Sequence, residues 1–143
     1  MVADPVVITS DVVRGSVRRH VRIERSADQV WERIGDPARL HEWFPGIATC
    51  TVDGSTRVIA TAAGVPIPEQ IVTDDPLQRR FQYRITGPMV RQHLSTLDVL
   101  VLGDGSCVVA YAADAEPSTL ALVVAGAAGN ALDHLRRLME GTP

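Results

Sequence analysis

Four side chains in this sequence have the chemistry of a small acid–base or ligand-contact set: Tyr83, His93, Ser95 and Tyr111. An imidazole titrates near neutral pH when unperturbed, so His93 is a candidate general acid or base. A tyrosine hydroxyl can donate to a developing enolate, which makes Tyr83 the candidate partner. A histidine held in the interior by structural hydrogen bonds is the alternative. Arg57 and Arg91 could hold a carboxylate or enolate with the guanidinium fork, and Arg91 reaching out to solvent is the alternative there. Other chemistries lack their residues. His20, His41, His93 and His134 are scattered with no H-x-H or H-E-x-x-H, and Cys50 and Cys107 are too far apart for a zinc pattern, so no metal is expected. No G-x-S-x-G elbow or glycine-rich phosphate loop is present, and all 14 basic residues are Arg. With no Lys there is no Schiff base. No cofactor is expected.

The chain that must position these groups has 143 residues, enough for one domain with a real core. Its 45% apolar and 22% charged content is that of a soluble globular protein, and a net charge of −3 gives no reason to expect nucleic acid as a partner. Two cysteines do not make a disulfide framework and read as buried reduced thiols. The start, MVADPVVITSDVVRGS, lacks the basic and apolar regions of a signal peptide. The apolar run 119–132 is too short to span a bilayer. A cytoplasmic location with no integral membrane segment is expected. Residues 1–15 read as an N-terminal extension in which VVIT is a candidate extra edge strand, and 16–143 as a single domain.

Local signals order the elements. SVRRHVRIER alternates as a strand with one wet face. Ser26 to Gln29 is a capping box, and Ala27, Val30, Trp31 and Ile34 form a helical stripe. Asp36-Pro37 starts a second short helix that Pro45-Gly46 ends just after Trp43 and Phe44. Strands follow: IATCTV and STRVIATAAG around Asp53-Gly54, EQIVTDD, RRFQYRIT, then VRQHLSTLDVLVL and SCVVAYAADA around Gly103-Asp104-Gly105. The segment 62–70 reads as a loop because Gly64, Pro66 and Pro68 interrupt a strand. A last helix runs from Pro117-Ser118 to about Glu140, with Leu120, Val124, Ala127, Ala131, Leu135 and Leu138 on its apolar side. Hairpin-linked strands with a helix segregated to one face are α+β.

This order, with I-E-R-S-A-D-Q-V-W at 23–31, D-P-A-R-L-H-E-W-F-P-G-I at 36–47, F-Q-Y-R-I-T-G-P at 81–88, H-L-S-T-L-D-V at 93–99 and G-D-G-S-C-V-V-A-Y at 103–111, resembles the START/Bet v 1-like (SRPBCC) superfamily of polyketide cyclase/dehydrase-like proteins. The resemblance covers about residues 16–140. It implies a helix-grip fold: a curved antiparallel sheet of six to seven strands wrapped around the long C-terminal helix, two short helices after the first strand, and a deep cavity for an apolar ligand between them. The glycines and alanines in the middle of the last helix, including Ala127 and Ala128, read either as close helix–sheet contact or as room for that ligand.

Strand parity turns Tyr83 and Ile85 inward, opposite Arg80, Gln82 and Arg84, and groups Arg57 with Ile59. It does not decide the strand 90–102. There the resemblance does: plant hormone receptors of the superfamily carry an N-Y-x-S pattern whose Tyr and Ser face the ligand, and His93 and Ser95 resemble that pair with His in place of Tyr. Leu97 shares their face, and Val109 and Tyr111 face in by the same analogy. Arg91 and Arg57 fall nearer a mouth, Leu120 and Val124 on the helix complete the wall, and Trp43 is assigned to the pocket with Phe44 to packing, the reverse being the alternative. Gly64-Val65-Pro66 is similar to a Gly-x-Pro loop that closes over the ligand in those receptors; a plain turn is the alternative. Binding or transport of a small hydrophobic molecule of lipid, polyketide or aromatic type is the expected function. Cyclisation or dehydration by His93 and Tyr83, and a protein-interaction or co-chaperone role, are the alternatives. The oligomeric state, monomer or homodimer, is left open.

Overall fold

The computed structural model describes residues 14–141. The expected edge strand VVIT lies outside them. Of the expected extension, Arg14 and Gly15 are described, and Gly15 opens the first strand.

The elements in chain order are β1 (Gly15–Ile23), α1 (Ala27–Ile34), a 3-10 turn (Pro37–Arg39), α2 (Leu40–Trp43), β2 (Ile47–Asp53), β3 (Thr56–Thr61), β4 (Pro66–Asp75), β5 (Arg80–Ile85), β6 (Gln92–Val101), β7 (Cys107–Glu116) and α3 (Ser118–Glu140). The strands form one antiparallel sheet in the order β1-β7-β6-β5-β4-β3-β2, so among the described residues β1 and β2 are its edges. This is the helix-grip arrangement.

The start of α1 shows why the chain folds locally as it does. Ser26 accepts from the Gln29 N–H and the Gln29 side chain accepts from the Ser26 N–H, satisfying two helix-start donors. The β2–β3 hairpin turns one residue later than its Asp-Gly pair suggests. Asp53 still pairs with Thr56, and the loop is Gly54-Ser55 with Gly54 at φ +58°. Gly first with positive φ is the pattern of a type II′ turn.

The expectation of a loop over 62–70 is corrected: β4 begins at Pro66 and runs through Pro68. The register makes this possible. Pro68 pairs with Val58 on one side, while its carbonyl accepts from the Thr86 N–H on the other. The missing proline N–H faces Thr86, just past the end of β5, so the proline forgoes only a bond at the terminus of the β4–β5 ladder.

The face that α3 buries also differs from the expected stripe. Ala121, Ala125, Ala128, Ala131, Leu132 and Leu135 are buried, Leu120 and Val124 are half-buried, and Ala127 and Leu138 are exposed. The helix lies against β1 and β7 at backbone range. A Cβ on Gly15 would stand 2.6 Å from the Ser118 carbonyl oxygen and 2.9 Å from Ala121 Cβ. Such an approach selects alanine over leucine on the contact face.

Pairings Ile47–Thr61, Ala60–Pro66, Glu69–Ile85, Gln92–Glu116 and Gly15–Ala115 gather one end of every strand. At this end lie the loops 62–65 and 86–91 and the start of α3. Here β5 and β6 part. Their pairing stops at Tyr83–Ser95, beyond which β5 continues against β4 alone and β6 against β7 alone.

Candidate ligand site

The inner face of β3–β7 carries a buried polar cluster. Arg57 on β3 and Glu69 on β4 are 2% and 3% exposed, and the Arg57 Nε donates to a Glu69 carboxylate oxygen at 2.7 Å. Arg57 also donates to the Pro37 carbonyl at 3.2 Å and lies over the rings of Phe81 and Tyr83, 5.3 and 4.9 Å from their centroids. The guanidinium thus has a carboxylate, a carbonyl and two aromatic rings as partners, as a buried cation requires. Burial pushes the Glu69 carboxyl up, against the pull of Arg57.

The Tyr83 and Tyr111 hydroxyls are hydrogen-bonded to each other across the cluster. Ser95 is paired with Tyr83 across β5 and β6 and is joined to His93 Nε2 at 2.8 Å. The Ile85 N–H donates to His93 Nδ1 at 2.8 Å, so Nδ1 is the acceptor and the neutral ring carries its proton on Nε2, donating to Ser95. A continuous row, His93–Ser95–Tyr83–Tyr111, results. Burial pushes His93 down to about 4, opposed by Asp114. Burial, reinforced by Glu69, pushes Tyr83 up to about 12, and burial raises Tyr111 well above the usual phenol range. The row is uncharged at neutral pH.

Free space is distributed unevenly around this row. Inside, among Trp43, Arg57, Phe81, Tyr83, Leu97 and Tyr111, about 10 Å³ remains, room for about one water. The expected deep apolar cavity is thus closed in this structure, filled by long polar and aromatic side chains. At the parting of β5 and β6 a cleft of about 620 Å³ opens, within the size range of small-molecule sites. Residues of both parities line it: Ile85 and His93 from the inner face, Gln70, Arg84, Leu94 and Asp114 from the outer, with Val90 and Arg91 from the loop between the strands. The cleft is therefore a slot through the sheet with His93 where it meets the interior row.

The residues singled out from sequence divide accordingly. Trp43, Arg57, Tyr83, Leu97 and Tyr111 surround the small interior space, and Ile85, Arg91 and His93 line the cleft, with Ser95 linking the two. Trp43 is 2% exposed; Phe44 is half-buried and its ring meets Tyr111 edge-on at 6.4 Å. Ile59, Val109 and Ala128 are buried in the core and line neither space, while Leu120 and Val124 are half-buried on α3. Two placements are corrected. Ala127 is exposed, because α3 is rotated to press its alanine face on β1 and β7. Arg57 is deep inside, not near a mouth, because Glu69 and two aromatic faces hold it there.

Sequence reasoning passed over Glu69, although a signal existed: it sits between Ile67 and Ile71 on one parity, and a charge inside an inward-facing triplet marks a buried partner. It also passed over Arg14, Gln70, Leu94 and Asp114, and took Arg84 as part of a wet face. Their convergence follows from where two strands part, which has no local signature.

A sequence profile of the family described as polyketide cyclase / dehydrase and lipid transport matches residues 14–140. The chain belongs to this family. The polyketide cyclase/dehydrase fold is seen again in solved structures. An uncharacterised protein from Bacillus thuringiensis is 24% identical, with a TM-score of 0.81 over 87% of this chain and 98% of that one. The protein XoxI from Bacillus cereus is 23% identical, with a TM-score of 0.82 over 87% and 95%. Norcoclaurine synthase from Thalictrum flavum is 16% identical, with a TM-score of 0.69 over 88% and 86%. No curated protein matches the chain. Among the described residues no helix is long and apolar enough to cross a membrane.

Proposed function

We infer that this family member binds or carries a small, largely apolar organic molecule, seated in the slot between β5 and β6 with its inner end against His93. The observation that carries this reading is a 620 Å³ cleft that ends on a neutral, hydrogen-bonded row of side chains. The lining is mostly polar, with an apolar strip within it, and so suits a molecule that offers both characters. Ile85, Val90 and Leu94 supply the apolar wall, and the row His93–Ser95–Tyr83–Tyr111 behind them is satisfied and uncharged.

Cyclisation or dehydration is the second reading, favoured by the Tyr83–Tyr111 hydroxyl pair. It has weaker support from electrostatics. General acid–base groups work best with pKa values near the operating pH, whereas His93 is held near 4 and Tyr83 near 12. These shifts suit hydrogen-bonding walls more than proton shuttles.

Titration with the neutral dye N-phenyl-1-naphthylamine tests the reading. Folded protein should show saturable, one-site fluorescence enhancement, weakened at least several-fold by Val90→Asp in the cleft wall. Folded protein without saturable binding, or with binding indifferent to Val90→Asp, rejects it.

A further inference from the structure

Ten salt-bridge contacts among the described residues take up Arg22, Arg33, Arg39, Arg57, Arg79, Arg80, Arg136 and Arg137. Six arginines lie outside that set: Arg18, Arg19 and Arg25 stand elsewhere, while Arg14, Arg84 and Arg91 all line the cleft. These last three come from separate places: the residue ahead of β1, the outer face of β5, and the loop 86–91. One carboxylate, Asp114, accompanies them on the cleft wall, and His93 contributes no charge. A chain of net charge −3 thus concentrates positive charge at a single concavity. Three like charges drawn together with Asp114 as the one carboxylate on the wall still repel one another, and an anion relieves that cost.

We propose that Arg14, Arg84 and Arg91 form an anion-recognition rim, so that the molecule taken by the cleft is an amphiphile: an apolar body over Ile85, Val90 and Leu94, and a carboxylate or phosphate head held at the arginines. This rests on the reading of the cleft as the ligand site and adds the chemical class of the ligand. Guanidinium forks match both head groups in a bidentate manner. The rim stands at the outer opening and the neutral row at the inner end, so the head stays near solvent. A buried anion would have to be desolvated beside Glu69, which the order of the two regions avoids.

The experiment compares 1-octanol, octanoate and mono-octyl phosphate, which share an eight-carbon chain, by calorimetric titration of wild type and of Arg84→Gln/Arg91→Gln. Both substituted positions are exposed, so the fold is kept; circular dichroism checks this. Octanoate or octyl phosphate should bind wild type at least ten-fold more tightly than octanol, and the preferred head identifies the source. The double variant should lose that preference, with the anions binding no more tightly than octanol does to the same variant. Raising the salt from 0.05 to 0.5 M, both set by the experimenter at roughly 14 and 4 Å screening length, should weaken the anions alone. Octanol binding with no preference for either anion overturns the rim and leaves the cleft reading standing. Anion affinity unchanged in the double variant overturns it as well. If none of the three binds folded wild type, both readings fall together.

Discussion

The two halves of the sheet are built on opposite principles. Under α3, strands β1 and β7 meet the helix through Gly15, Ala113, Ala115, Ala121, Ala125 and Ala128, at backbone range and without a buried charge. Toward β3–β6 the inner face holds Arg57, Glu69, Tyr83, His93 and Ser95, all buried and all partnered. The first half gains stability from close packing and has no room to change. The second fills its interior with groups that are stable only as a set, and opens to solvent where its last strand pairing ends. The lesson is that one sheet joins a rigid alanine seam to a network of mutually dependent polar groups, and the cleft opens beside the network, away from the seam.

The comparison can be broken most directly at Arg57. Arg57→Met leaves Glu69 buried and unpaired and should cost about 3–5 kcal/mol in urea denaturation, while Arg57→Met/Glu69→Leu should recover most of it. If the single variant is near neutral, the polar half is not a network. Next in size is acid. The folded pKa of His93 lies below its unfolded value, so its contribution is full above pH 6.5 and is lost as pH falls toward 4. At 1.36 kcal/mol per pKa unit the loss is at most about 3 kcal/mol. His93→Asn keeps an acceptor for the Ile85 N–H and does not titrate, so the stability gap between wild type and variant should shift against wild type between pH 7 and 4.5.

In the helix-covered half, Gly15→Ala should cost about 1–3 kcal/mol, since its new Cβ meets backbone and not a flexible tip; dye binding in the cleft should survive it. The smallest effect has the opposite sign. A Cβ at Gly126 meets nothing within 4 Å, so Gly126→Ala should stabilise by up to about 1 kcal/mol, read as a rise in the urea midpoint. That glycine is required neither for helix–sheet contact nor for room to hold a ligand.

The fold was legible because its signals are local. The Ser26 capping box, the Asp36-Pro37 restart, the Pro45-Gly46 break and the paired turns each fix an element by their own chemistry. The site was legible only in part. Parity placed Tyr83 and Ile85 on the inner face, yet could not orient the strand of His93, where polar and apolar residues alternate on both sides. Glu69 was missed because a lone carboxylate reads as wet until its partner across the sheet is known. The rotation of α3 was misjudged for a related reason: hydrophobicity favoured Leu120, Val124 and Ala127, whereas the distance to β1 favoured alanine. Parity, partnership and helix rotation at these positions depend on neighbours far away in the chain.

Arg19 sits on the inner-facing parity of the edge strand β1, and its stem passes over Gly129 of α3, 3.7 Å from where a Cβ would stand. Its neighbours Arg18, His20 and Arg22 are exposed on the same strand. An unpaired strand edge is a template for growth by addition of another chain, and charges set along it, one of them turned inward, make that addition costly. Among the described residues β1 is an edge, and its arginines make addition of another chain there costly.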